Sequence, residues 1–94
     1  MSPLASEAEF AAWWIAARAC DARIDVRPDL ADAEVEAIQG EKHGYEALIA
    51  SRRADSKVGL LVKARLLHQW LSRDGDEFGA GLAAEIIAWM EVGQ

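Results

Sequence analysis

Ninety-four residues, 52% hydrophobic and 28% charged, suffice for a single small domain spanning 1–94, too apolar for a disordered segment and too mixed for a membrane protein. Sixteen acids against ten bases leave a net charge of -6, the wrong sign for a dedicated nucleic-acid binder. One cysteine, Cys20, excludes an internal disulfide, and no apolar run approaches the roughly 20 residues of a spanning helix. The start of the chain lacks the basic residues and unbroken apolar stretch of an export signal, so the expected location is the cytoplasm.

Abundant Ala, Leu and Glu, with two prolines and no sustained alternation of β-branched and polar residues, predict an all-α fold of about four helices joined by short turns. The first helix starts near the N-terminus, where Pro3 suits a first turn and Ser6 with Glu9 fits a capping box, and runs to about Cys20 or Arg23. Phe10, Trp13, Trp14 and Ala17 share a broad face; two adjacent tryptophans cannot both point inward, so one is expected to be exposed.

Pro28 disfavours helix at Arg27, and Asp29 or Asp32 can cap a second helix from about Leu30 to Arg52. Val35, Ile38, Tyr45, Leu48 and Ile49 have helical spacing, with Lys42 at an otherwise apolar position. Gly40 and Gly44 each cost about 1 kcal/mol against alanine in a helix interior. Either the helix is continuous, with another helix close against those glycines, or it breaks near His43; the continuous form is preferred.

Arg52–Ser56 reads as a connection, and Ser56 as the cap of a third helix from about Lys57 to Arg73. Its many leucines and valines exceed one stripe, which predicts the most apolar helix at the centre of the fold. A turn at Asp74–Glu77 precedes a last helix to about Glu91, with Phe78, Leu82, Ile86, Trp89 and Met90 on one face and Gly93 past its end. By spacing, Trp70 and Trp89 belong to the core.

DAEVEAI at Asp32–Ile38, EALIA at Glu46–Ala50, GLLVKARLL at Gly59–Leu67 and the acidic turn Asp74–Asp76 together resemble small uncharacterised helical proteins of alphaproteobacteria and their mobile elements. The resemblance covers about the last two-thirds of the chain and implies an all-α fold without an activity. It departs at Arg53–Lys57, where those proteins carry a Pro-Ala-Thr-like stretch.

Candidate chemistry is thin. Asp74, Asp76, Gly79 and Glu85 match four of five key positions of a calcium loop, but Phe78 removes a ligand and helix capping explains the same letters. Neither His43 nor His68 follows a glutamate at the spacing of a carboxylate-bridged metal bundle. Asp21 beside Cys20 opposes thiolate formation, and no Gly-rich phosphate loop is present. No catalytic residue, cofactor or metal is assigned, and an enzyme is not expected.

Charge is polarised instead. Arg52, Arg53, Lys57, Lys63 and Arg65 face only Asp55 in residues 52–65, a local balance of +4, while residues 21–46 hold eight acids and three bases. The expected function is a non-enzymatic protein-interaction module, a small regulator or adaptor acting as a homodimer. An exposed Trp13 or Trp14 would anchor an unidentified protein partner, and Glu34, Glu36 and Glu41 would orient it. Two alternatives stand beside it: a nucleic-acid-associated protein gripping phosphate with the five bases of 52–65, and an acidic inhibitor presenting carboxylates to a nucleic-acid enzyme as DNA would.

Overall fold

A computed structural model describes residues 4–92 as an all-α bundle of four helices; Pro3 and Gly93, expected in a first turn and past a helix end, lie outside the described residues. The helices are α1 (Glu7–Asp25), α2 (Asp32–Ser51), α3 (Lys57–Arg73) and α4 (Glu77–Val92). Two short strands, β1 (Leu4–Ala5) and β2 (Arg53–Ala54), pair in parallel, Leu4 opposite Arg53 and Ala5 opposite Ala54. That bridge, unexpected from the residues, ties the segment before α1 to the α2–α3 connection and seats Ala5 in the core.

Local chemistry sets most helix ends. The Ser6 side chain accepts the Glu9 N–H and the Glu9 carboxylate accepts the Ser6 N–H, both at 3.1 Å, closing the capping box of α1. The helix passes Arg23 to end at Asp25, just before Pro28. Ser56 caps α3 by accepting the Gly59 N–H at 3.1 Å. Between α3 and α4, Gly75 takes a positive φ of 80°, which suits a residue without a Cβ, and Asp76 accepts the Gly79 N–H at 2.8 Å.

Two expectations about α2 are corrected. Neither Asp29 nor Asp32 caps it: Ala31 occupies the cap position with no side-chain bond, and Asp32 and Glu34 lie in the first turn, facing the helix dipole. The helix does run through Gly40 and Gly44, but no neighbour stands within 4 Å of a Cβ built at either. Burial of Ile38, Lys42, Glu46 and Ile49, spaced four, four and three residues apart, overrides the local glycine penalty. Gly40→Ala and Gly44→Ala are therefore expected to raise stability by up to about 1 kcal/mol each. Urea unfolding would read the gain, and a loss at either position would reveal a contact at that surface.

The close approach lies elsewhere. A Cβ on Gly59 would stand 2.8 Å from Phe10 Cδ2, so a bare backbone is what lets α3 lie against α1 there. Phe10, fully buried, forms the core with Ala5, Ile49, Val62 and Leu66, and Trp13, Trp14 and Ala54 pack on it. α3 touches α1, α2 and α4, the central position expected for it, whereas α4 packs chiefly on α3. The most apolar helix is α4, not α3: eleven of its sixteen residues are hydrophobic and its three charges are Glu77, Glu85 and Glu91.

Candidate functional site

α4 has an inner face of mostly small residues and an outer face of large ones. At about 100° per residue, Gly79, Ala80, Ala83, Ile87 and Met90 fall on one side, and these are the residues of α4 that are buried or half-buried. Phe78, Leu82, Ile86, Trp89 and Val92 fall on the other side and are all exposed, Trp89 at 82% and Phe78 at 90%. The expected face of Phe78, Leu82, Ile86, Trp89 and Met90 thus exists, but only Met90 of the five turns partly inward. Small residues let α4 lie close on α3; the bulky side chains cannot share that seam and find no other described element over them. Side chains of this size are ordinarily buried, so this outer face is an exposed apolar surface.

Where α4 meets the start of α3, an open groove of about 630 Å³ is lined by Ala54, Asp55, Lys57 and Leu60 on one side and Ile86, Trp89 and Met90 on the other. Leu60 and Leu67, seven residues apart on α3, are also exposed. Trp70, expected in the core, lies at its margin at 36% exposure beside Leu67 and Lys63.

The residues singled out from sequence as partner contacts are placed differently. Trp13 and Trp14 are both half-buried: the Trp13 ring meets Phe10 edge-on with centroids 5.7 Å apart, and the Arg18 guanidinium lies 4.5 Å from the Trp14 ring centroid. Neither is an exposed anchor. The helical turn puts Glu34 and Glu41 on one side of α2 and Glu36 roughly opposite, so the three do not form one patch. Glu41 is also engaged, its carboxylate 3.0 Å from the Arg23 guanidinium.

The basic segment does not gather either. Lys63 turns inward and donates to the carbonyls of Ile49 (2.7 Å) and Ala50 (3.3 Å), closing the C-terminal turn of α2. Arg65 reaches Glu91 across the α3–α4 seam at 3.5 Å, and Arg52 donates to the Ser51 hydroxyl. Arg53 is exposed in β2, and Lys57 borders the groove.

Burial pushes the Lys63 ammonium below its ordinary value of 10.5. An unfolded lysine keeps its proton to higher pH, so in the window below about 10.4 the unfolded chain binds more protons and stability rises with pH. Lys63→Met is expected to flatten that rise in urea midpoints measured on the alkaline side; equal slopes in both proteins would contradict it.

Between α1 and α2 lies a chain of alternating charges that sequence reading missed. Glu46, 3% exposed, meets Arg18 at 3.5 Å; Arg18 meets Asp21 at 3.6 Å; and Asp21 meets Lys42 at 2.9 Å. Arg18 Nε and one Glu46 oxygen lack a hydrogen-bond partner among the described residues, so the network orders the helix pair without being fully satisfied. Lys42 at an apolar spacing was its one visible trace.

The calcium-like letters are used by the turn: Asp74 ends α3, Gly75 supplies the positive φ and Asp76 caps α4. Among the described residues no three His, Cys, Asp or Glu side chains converge as a metal site would require, and Cys20 is buried with a free thiol. No helix among the described residues is long and apolar enough to cross a membrane. Protein-family models, curated proteins and solved structures provide no match to this chain.

Proposed function

We propose that the protein is a non-enzymatic interaction module, a small regulator or adaptor, and that it docks through the outer face of α4. The observation carrying this reading is the row of Leu82, Ile86 and Trp89, large apolar side chains held in water on a well-formed helix whose small residues face its own fold. Trp89 replaces Trp13 and Trp14 as the anchor. Of the acids of α4, Glu85 lies beside Trp89 on this face, whereas Glu91 turns to Arg65 across the seam. The nucleic-acid alternative is weakened because Lys63 and Arg65 are spent within the chain, and the DNA-mimic alternative because Glu36 faces away from Glu34 and Glu41.

The test is affinity capture of tagged protein from nuclease-treated host lysate at raised salt, with three forms side by side. Wild type and an Arg52→Gln, Arg53→Gln, Lys57→Gln variant are expected to retain the same associated chain in stoichiometric amount. Leu82→Glu with Trp89→Glu is expected to lose it. Loss in the glutamine variant alone would transfer the function to phosphate contact.

A further inference from the structure

We infer that the chain covering the α4 outer face is a second copy of this protein, the two packing as an isologous dimer with Trp89 of each in the α3–α4 groove of the other. The inference rests on the docking role of α4 and names its partner. Three observations support it, the first being area. Phe78, Leu82, Ile86, Trp89, Val92 and Leu60, each more than half exposed, leave on the order of 800 Å² of side chain in water, about what one partner contributes to a standard interface.

The second is the compactness of the chain by itself. A monomer of 10.3 kDa ordinarily exposes about 5,400 Å², whereas this chain exposes 6099 Å². Its radius of gyration is 14.4 Å against about 12 Å for a compact domain of the same length. The fold stops short of closing on itself by an amount close to the uncovered face, and two copies joined on that face would close it.

The third is self-complementarity. A two-fold contact needs a ridge and its receptor on the same chain. The ridge is Trp89 with Glu85 one turn before it; the receptor is the groove between Leu60 and Ile86, whose α4 wall includes Trp89 itself, so a two-fold axis beside that wall sets the two indoles next to each other. Seating Trp89 there buries it against the partner's Leu60 and Ile86, and does so twice by symmetry.

Sedimentation equilibrium of the full chain over a wide concentration range tests this. Wild type is expected at twice 10.3 kDa by tens of micromolar. Leu82→Glu with Trp89→Glu is expected to sediment as a monomer with unchanged helical circular dichroism, the dissociation constant weakened roughly 100-fold or more. These side chains are exposed in the isolated chain, so its fold should survive; if the double variant unfolds, the wild-type mass still decides. A wild type that remains monomeric at all concentrations overturns the inference, and if α4 variants then still abolish capture of another protein, the docking role stands without self-association. A wild-type dimer indifferent to the α4 variants also overturns the inference, and the docking role is then decided by whether those variants abolish capture.

Discussion

Replacing Phe10 with alanine is expected to lower the unfolding free energy by about 3–5 kcal/mol, the range for a large aromatic removed from a closed core. The ring has no solvent exposure, meets Trp13 edge-on, lies under the Lys63 ammonium at 5.5 Å and fills the space that Gly59 leaves bare. Because α1 and α3 meet around it and the β1–β2 bridge seats Ala5 in the same cluster, collapse into the cavity would disturb several elements at once. Small domains hold only about 5–15 kcal/mol in all, so the variant is expected to be partly unfolded at physiological temperature. Urea denaturation measures the loss. A cost below about 1.5 kcal/mol, the range of volume-conserving swaps, would mean the core does not centre on this ring.

Glu46→Ala is expected to cost about 3 kcal/mol, the lower end for breaking a buried pair, since Arg18 at 26% side-chain exposure can partly rehydrate. The damage is the charge left behind: Arg18 would keep Asp21 at 3.6 Å and the Trp14 face, but lose the carboxylate that holds it against α2. The pair as a whole is worth less than that cost. Arg18→Met with Glu46→Met should recover most of the stability, because the desolvation of both charges disappears while Lys42 keeps Asp21 at 2.9 Å. A complete double-mutant cycle by urea denaturation checks this; a Glu46→Ala cost under 1 kcal/mol, or a double variant as weak as the single, would contradict it.

What was legible in the sequence was local. Ser6 with Glu9, and Ser56 before Gly59, marked helix starts because capping needs only a side chain and a nearby N–H. The α3 bounds followed from Ser56 and the acidic turn. What failed needed tertiary knowledge. Spacing grouped Phe78, Leu82, Ile86 and Trp89 correctly on one face, but periodicity does not say which side of a largely apolar helix meets the fold; Ala83, the buried residue of α4, took that contact by being small. Adjacent Trp13 and Trp14 suggested exposure, yet one found an aromatic edge and the other a guanidinium, so both served the core. Lys63 reads as a surface base until the carbonyls of Ile49 and Ala50 are placed beside it. Arg18, Asp21 and Glu46 read as ordinary surface charges, because the pairing of α1 with α2 is what buries them.

The working surface can be located by placing the photo-reactive residue p-benzoylphenylalanine at Leu82 on α4 in one protein and at Glu36 on α2 in another, then irradiating each in native-host lysate. Leu82 is exposed on the uncovered α4 face, and Glu36 is exposed on the acidic helix. A strong covalent adduct is expected from position 82 at twice the chain mass of 10.3 kDa, with little from position 36. Adducts from position 36 with none from position 82 would contradict it and return the partner contact to α2.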